Sequence, residues 1–568
     1  MENNKPESQI ENLSEVLQVR RDKLSDLQKM GRDPFKISKY DVTHHSNEVI
    51  DQYDSLEGQR VSLAGRIMSK RIMGKASFMH LQDQNGRIQA YVKRDDIGLD
   101  EYKLFKTYDI GDIVGIEGFV FKTKTEEVSV HVEKLVLLSK SLQVLPEKYH
   151  GLKDVDLRYR QRYVDLIVNP EVKDAFLTRT KALKALRSYL DERGFLEVET
   201  PILNTIAGGA NARPFITHHN TLDIPMYLRI ANELYLKRLI VGGFDKVYEM
   251  GRMFRNEGMD RTHNPEFTAM EVYVAYKDYF WMMGFTEKLV EAAALAVNGT
   301  TELRVGDRLI DFKPPYARVR MTDAIKEHAG FDIEGKSEEE IRRFCGEAGL
   351  EIDETMGKGK LIDEIFGAKC EANYIQPTFV YDYPKEMSPL TKKHRENPEL
   401  TERFELFVNG KELANAYSEL NDPIDQLERF QQQLRLQERG DEEAMFIDYD
   451  FVRALEYGMP PASGMGIGID RLCMFLTDSP SIQDVLLFPQ MKPEHKERTD
   501  ADEKFMEAGI PQEWVAPLKK TGIVTVEALK KVENFNKLHQ SLCGMNKKEK
   551  LGLTNPKPEE VAAWIHKN

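Results

Sequence analysis

The sequence predicts an α+β protein, and three patterns along the chain support this prediction. Residues 60–140 contain five short runs of alternating apolar and polar residues, separated by turn residues, as is typical of strands. Residues 246–274 contain two longer alternating runs joined by a charged loop, which indicates an antiparallel pair. Apolar residues at helical spacing recur in residues 8–30, in residues 171–193 and beyond residue 500.

The length and composition are typical of a multidomain globular protein. The chain has 568 residues, of which 41% are hydrophobic and 31% are charged. Because the formal charge is −14, any nucleic-acid site must be a local basic patch. Four scattered cysteines without a C-x-x-C pair argue against a disulfide framework or a zinc site. The polar N-terminus and the lack of a long apolar run predict a cytoplasmic protein without a membrane segment.

Changes in composition divide the chain into four predicted regions. We expect an N-terminal helical segment at residues 1–55, a small β domain at 56–145, a large domain at 146–495 and a helical extension at 496–568. Within the large domain, residues 303–371 are highly charged and are interpreted as an insertion of mixed helix and loop.

The pattern of the small β domain predicts a closed barrel of the OB type, because five strands fit into about 80 residues. Such barrels bind single-stranded nucleic acid by stacking bases on aromatic side chains beside basic ones. Lys70, Arg71 and Lys75 in one loop and Phe78 on the next strand suit that role. Packing of Phe78 in the barrel core is the alternative.

The charged loop between the two long strands suits a nucleoside triphosphate. Arg255 offers a planar fork of donors for phosphate or carboxylate. His263 offers a second donor, and Phe267 offers a face on which a base can stack. A solvated loop with incidental charges is the alternative.

A glycine-rich stretch at residues 458–471 indicates close approach of a ligand to the backbone. Its glycines resemble a dinucleotide loop, but no second βαβ unit follows. The other interpretation is a glycine-rich strand, with Arg471 and Phe267 on either side of an adenine.

Glu412 and Glu419 are candidate metal ligands that lie seven residues apart. On a helix this spacing returns to the same face, whereas on a strand a β-bulge is needed to bring both to one face. Paired carboxylates near a triphosphate suit Mg²⁺, which prefers oxygen ligands. An ordinary pair of surface glutamates is the alternative.

These stretches together resemble the class II aminoacyl-tRNA synthetases, in particular those specific for lysine. Residues 195–203 with the helix before them look like motif 1, residues 254–267 like motif 2 and residues 464–471 like motif 3. Sequence motifs typical of the lysine-specific members occur at residues 208–215, 262–267 and 418–422. The resemblance extends to about residue 493, and it implies an antiparallel catalytic sheet flanked by helices.

The resemblance implies activation of lysine with ATP to lysyl-adenylate and transfer of lysine to the 3′ end of tRNA. Arg255 would hold the lysine carboxylate or the α-phosphate, Glu257 the adenine and His263 the outer phosphates. The other implied ATP contacts are Asn264, Phe267, Gly468 and Arg471.

For the amino acid, the resemblance assigns Gly209 and Glu233 to the α-amino group, Asn421 to the carboxylate, and Glu271 with Tyr273 to the ε-ammonium. A buried carboxylate facing that ammonium would reject uncharged side chains, which would leave it unpaired. Catalysis would then consist of positioning and charge stabilisation, without a covalent enzyme intermediate.

The resemblance also implies partners. Glu412 and Glu419 match the Mg²⁺ carboxylates of the family, and Phe78 with Gln89 match residues that read a central anticodon uridine. Lys134 stands where some relatives have a glutamate, which is a departure from the pattern. Motif 1 implies a homodimer.

Three other readings can be weighed against a lysine-specific enzyme. An aspartyl or asparaginyl synthetase would need a cationic pocket, whereas Glu271 and Tyr273 indicate an acidic one. A paralogue that modifies a protein would lack the barrel. A nonenzymatic RNA-binding protein would have lost at least one of four residues, and all four are present: Arg255, Glu412, Glu419 and Arg471. The extension from residue 496 departs from the family pattern, and either a tRNA-contacting module or a packed appendage fits it.

Overall fold

The computed structural model describes residues 7–146, 152–210, 212–438, 446–493, 502–532, 534–549 and 551–566. Contacts divide the chain into two compact units, Met1–Pro489 and Gln490–Asn568. The predicted boundary between residues 495 and 496 lies outside the described residues.

The first unit begins with a helical segment and a closed five-stranded barrel. The helices of this part are α1 (Glu7–Lys29), α2 (Ser46–Asp51), α3 (Tyr53–Leu56), α4 (Arg94–Ile97) and α5 (Leu99–Thr107). The strands are β1 (Arg60–Met73), β2 (Ala76–Gln82), β3 (Arg87–Lys93), β4 (Ile113–Lys122) and β5 (Val128–Ser139). They close in the order β1-β2-β3-β5-β4, which confirms the predicted barrel. Alternate residues of each strand fill its core.

A β-bulge in β1 decides which basic residue accompanies Phe78. The pairing of β1 with β2 shifts between Ile67 and Ser69, so that Arg71 lies opposite Phe78 and Lys70 lies opposite the buried Met79. Directly opposite residues of an antiparallel pair share a face. Arg71, rather than Lys70, is therefore the basic neighbour of Phe78 on the outer face.

The rest of the first unit is built on an eight-stranded sheet with the order β14-β15-β16-β17-β18-β11-β10-β6. Its pairs are antiparallel except β14–β15 and β10–β6 at the two edges. The strands of this part are β6 (Leu196–Glu197), β7 (Leu203–Asn204), β8 (Ile216–His219), β9 (Ile224–Leu228), β10 (Lys246–Phe254), β11 (Glu266–Ala275), β12 (Glu302–Val305), β13 (Arg308–Asp311), β14 (Ala317–Arg320), β15 (Thr378–Pro384), β16 (Leu400–Val408), β17 (Lys411–Ser418) and β18 (Ala462–Gly468).

Helices cover this sheet. They are α6 (Val155–Arg160), α7 (Arg162–Val168), α8 (Val172–Asp191), α9 (Glu233–Val241), α10 (Tyr279–Asn298), α11 (Met321–Ala329), α12 (Glu338–Glu347), α13 (Lys358–Lys369), α14 (Pro423–Glu438), α15 (Tyr449–Glu456) and α16 (Ile469–Leu476). Met270, Val272 and Val274 of β11 join a core with α8, α10 and α16. Tyr273 and Ala275 of the same strand join another core with α9 and α15. The two faces of β11 thus pack into different cores, because side chains alternate along a strand.

Two expectations need adjustment. Before Pro201, the run at residues 195–203 forms only the two-residue strand β6 at an edge of the sheet, and Leu203 already belongs to β7 in a separate three-stranded sheet. The region at residues 303–371 contains three helices, as expected, which are α11, α12 and α13. It also contains three short strands that were not expected, which are β12, β13 and β14. Strands of four residues are too short to show a clear alternation.

The second unit is helical, as expected. It contains α17 (Asp502–Glu507), α18 (Gln512–Lys520), α19 (Val526–Lys530), α20 (Phe535–Glu549) and α21 (Pro558–His566). Its own core includes Trp514, Leu529, Leu542 and Trp564. None of the helices described in either unit is long and apolar enough to cross a bilayer.

Candidate active site

Three adjacent strands form the floor of the candidate site. Glu271 of β11 lies opposite Gly466 of β18, and Tyr273 lies opposite Gly464. On the other side of β18, Tyr417 of β17 also lies opposite Gly464. Because glycine has no side chain, β18 leaves space between the polar side chains of its two neighbours.

The predicted ε-ammonium site is buried and acidic. The Tyr273 hydroxyl donates to Glu271 Oε2 at 3.0 Å, and the backbone N–H of Asn232 donates to Glu271 Oε1 at 3.3 Å. Burial, followed by repulsion from Glu233, raises the pKa of Glu271 to about 7. A cation bound here would relieve both causes.

The predicted α-amino site lies at the start of α9. Glu233 is its first residue and is buried. Gly209 has a φ of 89°, and a Cβ at that position would lie 3.2 Å from Ala231 Cβ and 3.4 Å from Glu233 Cβ. The loop can therefore approach Glu233 closely because residue 209 is glycine.

Lys237, which the sequence analysis missed, joins two of the predicted site carboxylates. It lies one turn after Glu233 on α9, and its Nζ donates to Glu233 Oε1 at 2.5 Å. Lys237 also forms an ion pair with Glu419 Oε2. The Lys237 side chain is completely buried. A lysine in an amphipathic helix is usually exposed, so the sequence pattern offers no signal for this position.

Asn421 and Asn232 complete the polar wall of this pocket. Asn421 Nδ2 donates to Met459 O at 2.8 Å, and Asn421 Oδ1 accepts from Lys392 Nζ at 2.6 Å. Asn232 is buried, and within the described residues its side-chain amide has no hydrogen-bond partner. A buried amide of this kind is costly unless a ligand satisfies it.

The β-bulge that the metal hypothesis requires is present in β17. The pairing with β16 passes from Leu406–Ala414 to Phe407–Glu412, so Leu413 is the extra residue. The bulge puts Glu412 on the same face as Tyr417 and Glu419, although seven residues separate the two glutamates.

The electrostatics of these carboxylates fit a cation. Glu419 is fully buried, and apart from its ion pair with Lys237 its carboxylate accepts no hydrogen bond from the described residues. Burial and repulsion from Glu233 raise its pKa even against the effect of Lys237. Burial and the charge of Glu412 raise the pKa of Glu371 to about 7. Across the described ranges no cluster of three His, Cys, Asp or Glu side chains is arranged to hold a metal ion. Phosphate oxygens would therefore have to supply further ligands.

Arg255 and Phe267 lie together at the base of the charged loop. The Arg255 guanidinium carbon lies 5.2 Å from the centroid of the Phe267 ring. Arg255 Nε is buried and has no hydrogen-bond partner among the described residues. Phe267 shares a face of β11 with Glu271 and Tyr273, because all three have odd numbers on a regular strand.

His263 and Arg471 are brought into contact from distant parts of the sequence. Arg471 Nη2 lies 3.2 Å from His263 Nε2, and Arg471 Nη1 donates to Glu412 O at 2.7 Å. His263 Nδ1 lies 2.8 Å from Asp260 Oδ2. Since the guanidinium can only donate, His263 Nε2 accepts and Nδ1 donates to Asp260.

The other predicted ATP contacts surround this group. Glu257 is exposed in the loop, and Asn264 is buried with Nδ2 donating to Glu266 O at 2.6 Å. A Cβ on Gly468 would make ordinary contacts of 3.8 Å with Arg471 Cβ and with Leu413 O. Gly468 is thus next to Arg471, but space alone does not demand a glycine there.

Asp470, another residue that sequence reasoning missed, supports the part of the site around Phe267 and Arg471. Asp470 accepts from the backbone N–H of Thr268 at 2.7 Å and from Arg179 Nη1 at 2.5 Å. It therefore fixes β11 next to Phe267 and connects it to the helix that carries Arg471.

The barrel presents a separate aromatic surface. The Phe78 ring lies 5.0 Å from the Tyr91 ring, and Gln89 Nε2 donates to Glu127 Oε2 at 2.7 Å. Lys70 does not face this surface as expected, because its ammonium donates to carbonyls at the end of α5, including Phe105 O at 3.2 Å. Lys134, where the pattern departs from relatives, pairs with Glu117 at 2.6 Å.

Comparison with known proteins agrees with this geometry. Residues 154–492 match the family described as tRNA synthetases class II (D, K and N), and residues 61–138 match the OB-fold nucleic acid binding domain. A protein of Porphyromonas gingivalis named lysine–tRNA ligase is 61% identical over 97% of this chain and 98% of its own length. A lysine–tRNA ligase of Christiangramia forsetii is 61% identical over 86% of this chain and 88% of its own length.

A further relative lacks a counterpart for part of the chain. The lysine–tRNA ligase of Azobacteroides pseudotrichonymphae is 59% identical, and the match covers 99% of that protein but 85% of this chain. With a class II model over more than half of its length and relatives at this identity, the chain belongs to the class II tRNA synthetases, in the lysine–tRNA ligase family.

Proposed function

We propose that this chain activates L-lysine with ATP and transfers it to the 3′ end of tRNA. The observation that carries the specificity is the buried, acidic pocket of Glu271, Tyr273 and Glu233, which can receive a ligand with two ammonium groups. An uncharged side chain would leave Glu271 buried and unpaired, which is strongly unfavourable.

In the first step, the lysine carboxylate attacks the α-phosphorus of ATP, and pyrophosphate leaves. Arg255 holds the reacting carboxylate or α-phosphate and stabilises the charge that develops at phosphorus. Its buried Nε, which has no hydrogen-bond partner in the described part of the chain, supports this role. In the second step, a 3′-terminal hydroxyl of tRNA attacks the acyl carbon, and AMP leaves. The chain's contribution is to bind and orient the reactants.

The remaining ATP contacts come from the residues around Arg255 and Phe267. Phe267 and Arg471 enclose the adenine, and Glu257 binds its edge. His263 contacts the outer phosphates, and its hydrogen bond to Asp260 supports a fixed ring orientation. Asn264 and Gly468 complete the site.

Glu412 and Glu419 would hold Mg²⁺, which supplies neutralising charge to the phosphates when it is bound. The bulge at Leu413 and the excess of carboxylate charge support this assignment. The lysine ligand is held in turn by Gly209 and Glu233 at its α-amino group and by Asn421 at its carboxylate.

We infer that the barrel reads the anticodon of tRNA through Phe78 and Gln89. The half-buried Phe78 ring and the exposed Arg71 opposite it support a base-stacking surface with a basic flank. Lys70 is not included, because its ammonium is already bonded within the barrel domain.

We also infer a cytoplasmic homodimer. Leu196, Leu203 and Ile216, near the edge strand β6 and the sheet β7–β9–β8, are each about half exposed or more in the single chain. Apolar side chains grouped at a sheet edge suit a subunit interface. All four cysteines are free thiols, which suits a reducing compartment.

The test is exchange of labelled pyrophosphate into ATP, with Mg²⁺ and each amino acid added separately. Exchange with lysine alone supports adenylate formation and the assigned pocket. Exchange with aspartate or asparagine would overturn the pocket assignment, and no exchange from correctly folded protein would overturn the proposed function.

A further inference from the structure

Lys237 is a buried cation with no place in the reaction described above. Its ammonium lies between Glu233, assigned to the α-amino group of lysine, and Glu419, assigned to the metal. Its Nζ also lies 3.5 Å from Leu390 O and 5.4 Å from the centroid of the Tyr417 ring. All these groups belong to the wall of the candidate site.

The helix geometry explains why Lys237 reaches Glu233. Residues four apart on a helix share a face, and side chains lean towards the helix N-terminus. From one turn along α9, the Lys237 side chain therefore lies beneath the carboxylate of the first residue. Because the Lys237 side chain is fully buried and the Glu233 side chain is only 6% exposed, water competes little for this ion pair.

The charge balance explains why such a cation is needed. Glu233, Glu271 and Glu419 are three buried carboxylates that raise one another's energy. Within the described residues Lys237 is the cation paired with two of them. Without it, Glu233 would be free to turn away from Glu419 and would lose its orientation.

We propose that Lys237 is a positioning residue of the amino-acid site, which holds Glu233 in the orientation that receives the α-ammonium of lysine. The proposal deepens the proposed function and rests on it. Lys237 itself does not touch the substrate, and it acts through Glu233.

The test compares two ligands by calorimetry, in the full-length protein without ATP or Mg²⁺. Lysine carries both ammonium groups, whereas 6-aminohexanoate lacks the α-ammonium and keeps the ε-ammonium and the carboxylate. In Lys237→Met, which is neutral and of similar size, we expect the preference for lysine over 6-aminohexanoate to fall by about tenfold or more, as for loss of a charged hydrogen bond. General damage to the pocket would weaken both ligands alike.

Lys140→Met is the matched control. Lys140 is also buried and also pairs with two carboxylates, Asp109 and Asp112, but these lie in the barrel domain. The control should lose thermal stability and keep the wild-type preference.

If Lys237→Met does not fold, the test uses a double variant that combines Lys237→Met with Glu419→Gln. The second substitution removes the buried carboxylate that would otherwise be left without its cation. This double variant should show the same reduced preference, since Glu233 still lacks its partner. An unchanged preference in a folded variant would overturn the inference. Failure of the wild-type protein to bind lysine would instead count against the proposed function.

Discussion

Glu271 must be anionic to receive an ammonium group, although its surroundings oppose that charge. Burial and the neighbouring Glu233 raise its pKa to about 7, from a usual value of 4.5. Protons therefore compete with lysine near neutral pH. The same shift makes the folded state less stable as the pH rises from 4.5 towards 7, because the ionisation is resisted only in the folded protein.

This competition predicts a pH-dependent affinity for lysine. We expect the Kd for lysine, measured by calorimetry without ATP, to rise as the pH falls below about 7, approaching tenfold per pH unit. Glu271→Gln should bind lysine far more weakly and lose most of this dependence. Glu405→Gln is the control. Burial also raises the pKa of Glu405, to about 8, but the Glu405 carboxylate contacts Arg403 and not the lysine pocket. A wild-type affinity that is flat between pH 6 and 8 would contradict the prediction.

Phe78 is expected to matter for tRNA and not for lysine activation. Stacking of one base on an aromatic ring contributes about 1–3 kcal/mol. Phe78→Ala should therefore lower kcat/KM for aminoacylation by about tenfold or more and leave pyrophosphate exchange unchanged. Phe35→Ala, an exposed aromatic residue outside the barrel strands, should change neither reaction. Equal losses in both reactions would place Phe78 in the structural core instead.

Single residues also show where sequence reasoning ends. Arg255 and Phe267 could be proposed from the charged loop between two regular alternating strands, whereas Glu271 was proposed from the resemblance to the family. Lys70 was misplaced because an unseen bulge in β1 changes which residues face outward, and Arg71 takes the predicted position. Lys237 could not be found, because only the folded chain brings Glu419 to the first turns of α9.

At the level of elements, β18 has little tolerance for added volume at Gly464, next to the candidate site. A Cβ at Gly464 would lie 2.2 Å from Glu419 Oε1 and 2.3 Å from the Tyr273 ring. Both side chains belong to the site, so neither can move without changing it.

We therefore expect Gly464→Ala to raise the Kd for lysine by about tenfold, with a correctly folded chain. Gly466→Ala is the matched control two residues along the same strand, where the nearest side-chain atom, Glu271 Cγ, would be 3.8 Å away. Calorimetry on both variants checks the prediction, which fails if they bind lysine equally well.

The long elements were predictable and the short ones were not. The pair β10–β11 has nine matched positions, and its alternation is visible in the sequence. Strands β12, β13 and β14 have four residues each, and they stand in a charged region that was interpreted as helix and loop. Periodicity needs several repeats before it can be recognised.

The whole molecule consists of two units with separate cores. The second unit encloses Trp514, Leu529 and Trp564 in a core of its own. A chain that ends at residue 492 should therefore fold and keep lysine-dependent pyrophosphate exchange. Exchange and thermal unfolding of the truncated and full-length chains test this. A truncated chain that aggregates or loses exchange would show that the first unit depends on the second.

The proposed dimer gives a second prediction at this scale. Leu203→Asp places a charge on the apolar surface near β6, where burial without a partner is costly. We expect this variant to sediment as a monomer and the wild type to sediment as a dimer. Ile424→Asp, at another exposed apolar residue in α14, should leave the dimer intact. A monomeric wild type, or a dimeric Leu203→Asp, would rule out this surface as the interface.

The extra residue in β17 also bears on how this region can vary. Any apolar side chain that fits the core could replace Leu413, and deleting it would restore a regular ladder in which Glu412 and Glu419, then six residues apart, still share a face. In a library of random variants, position 413 should therefore accept apolar substitutions and also its own deletion. The bulge thus absorbs one residue without changing the face on which the two proposed metal ligands lie.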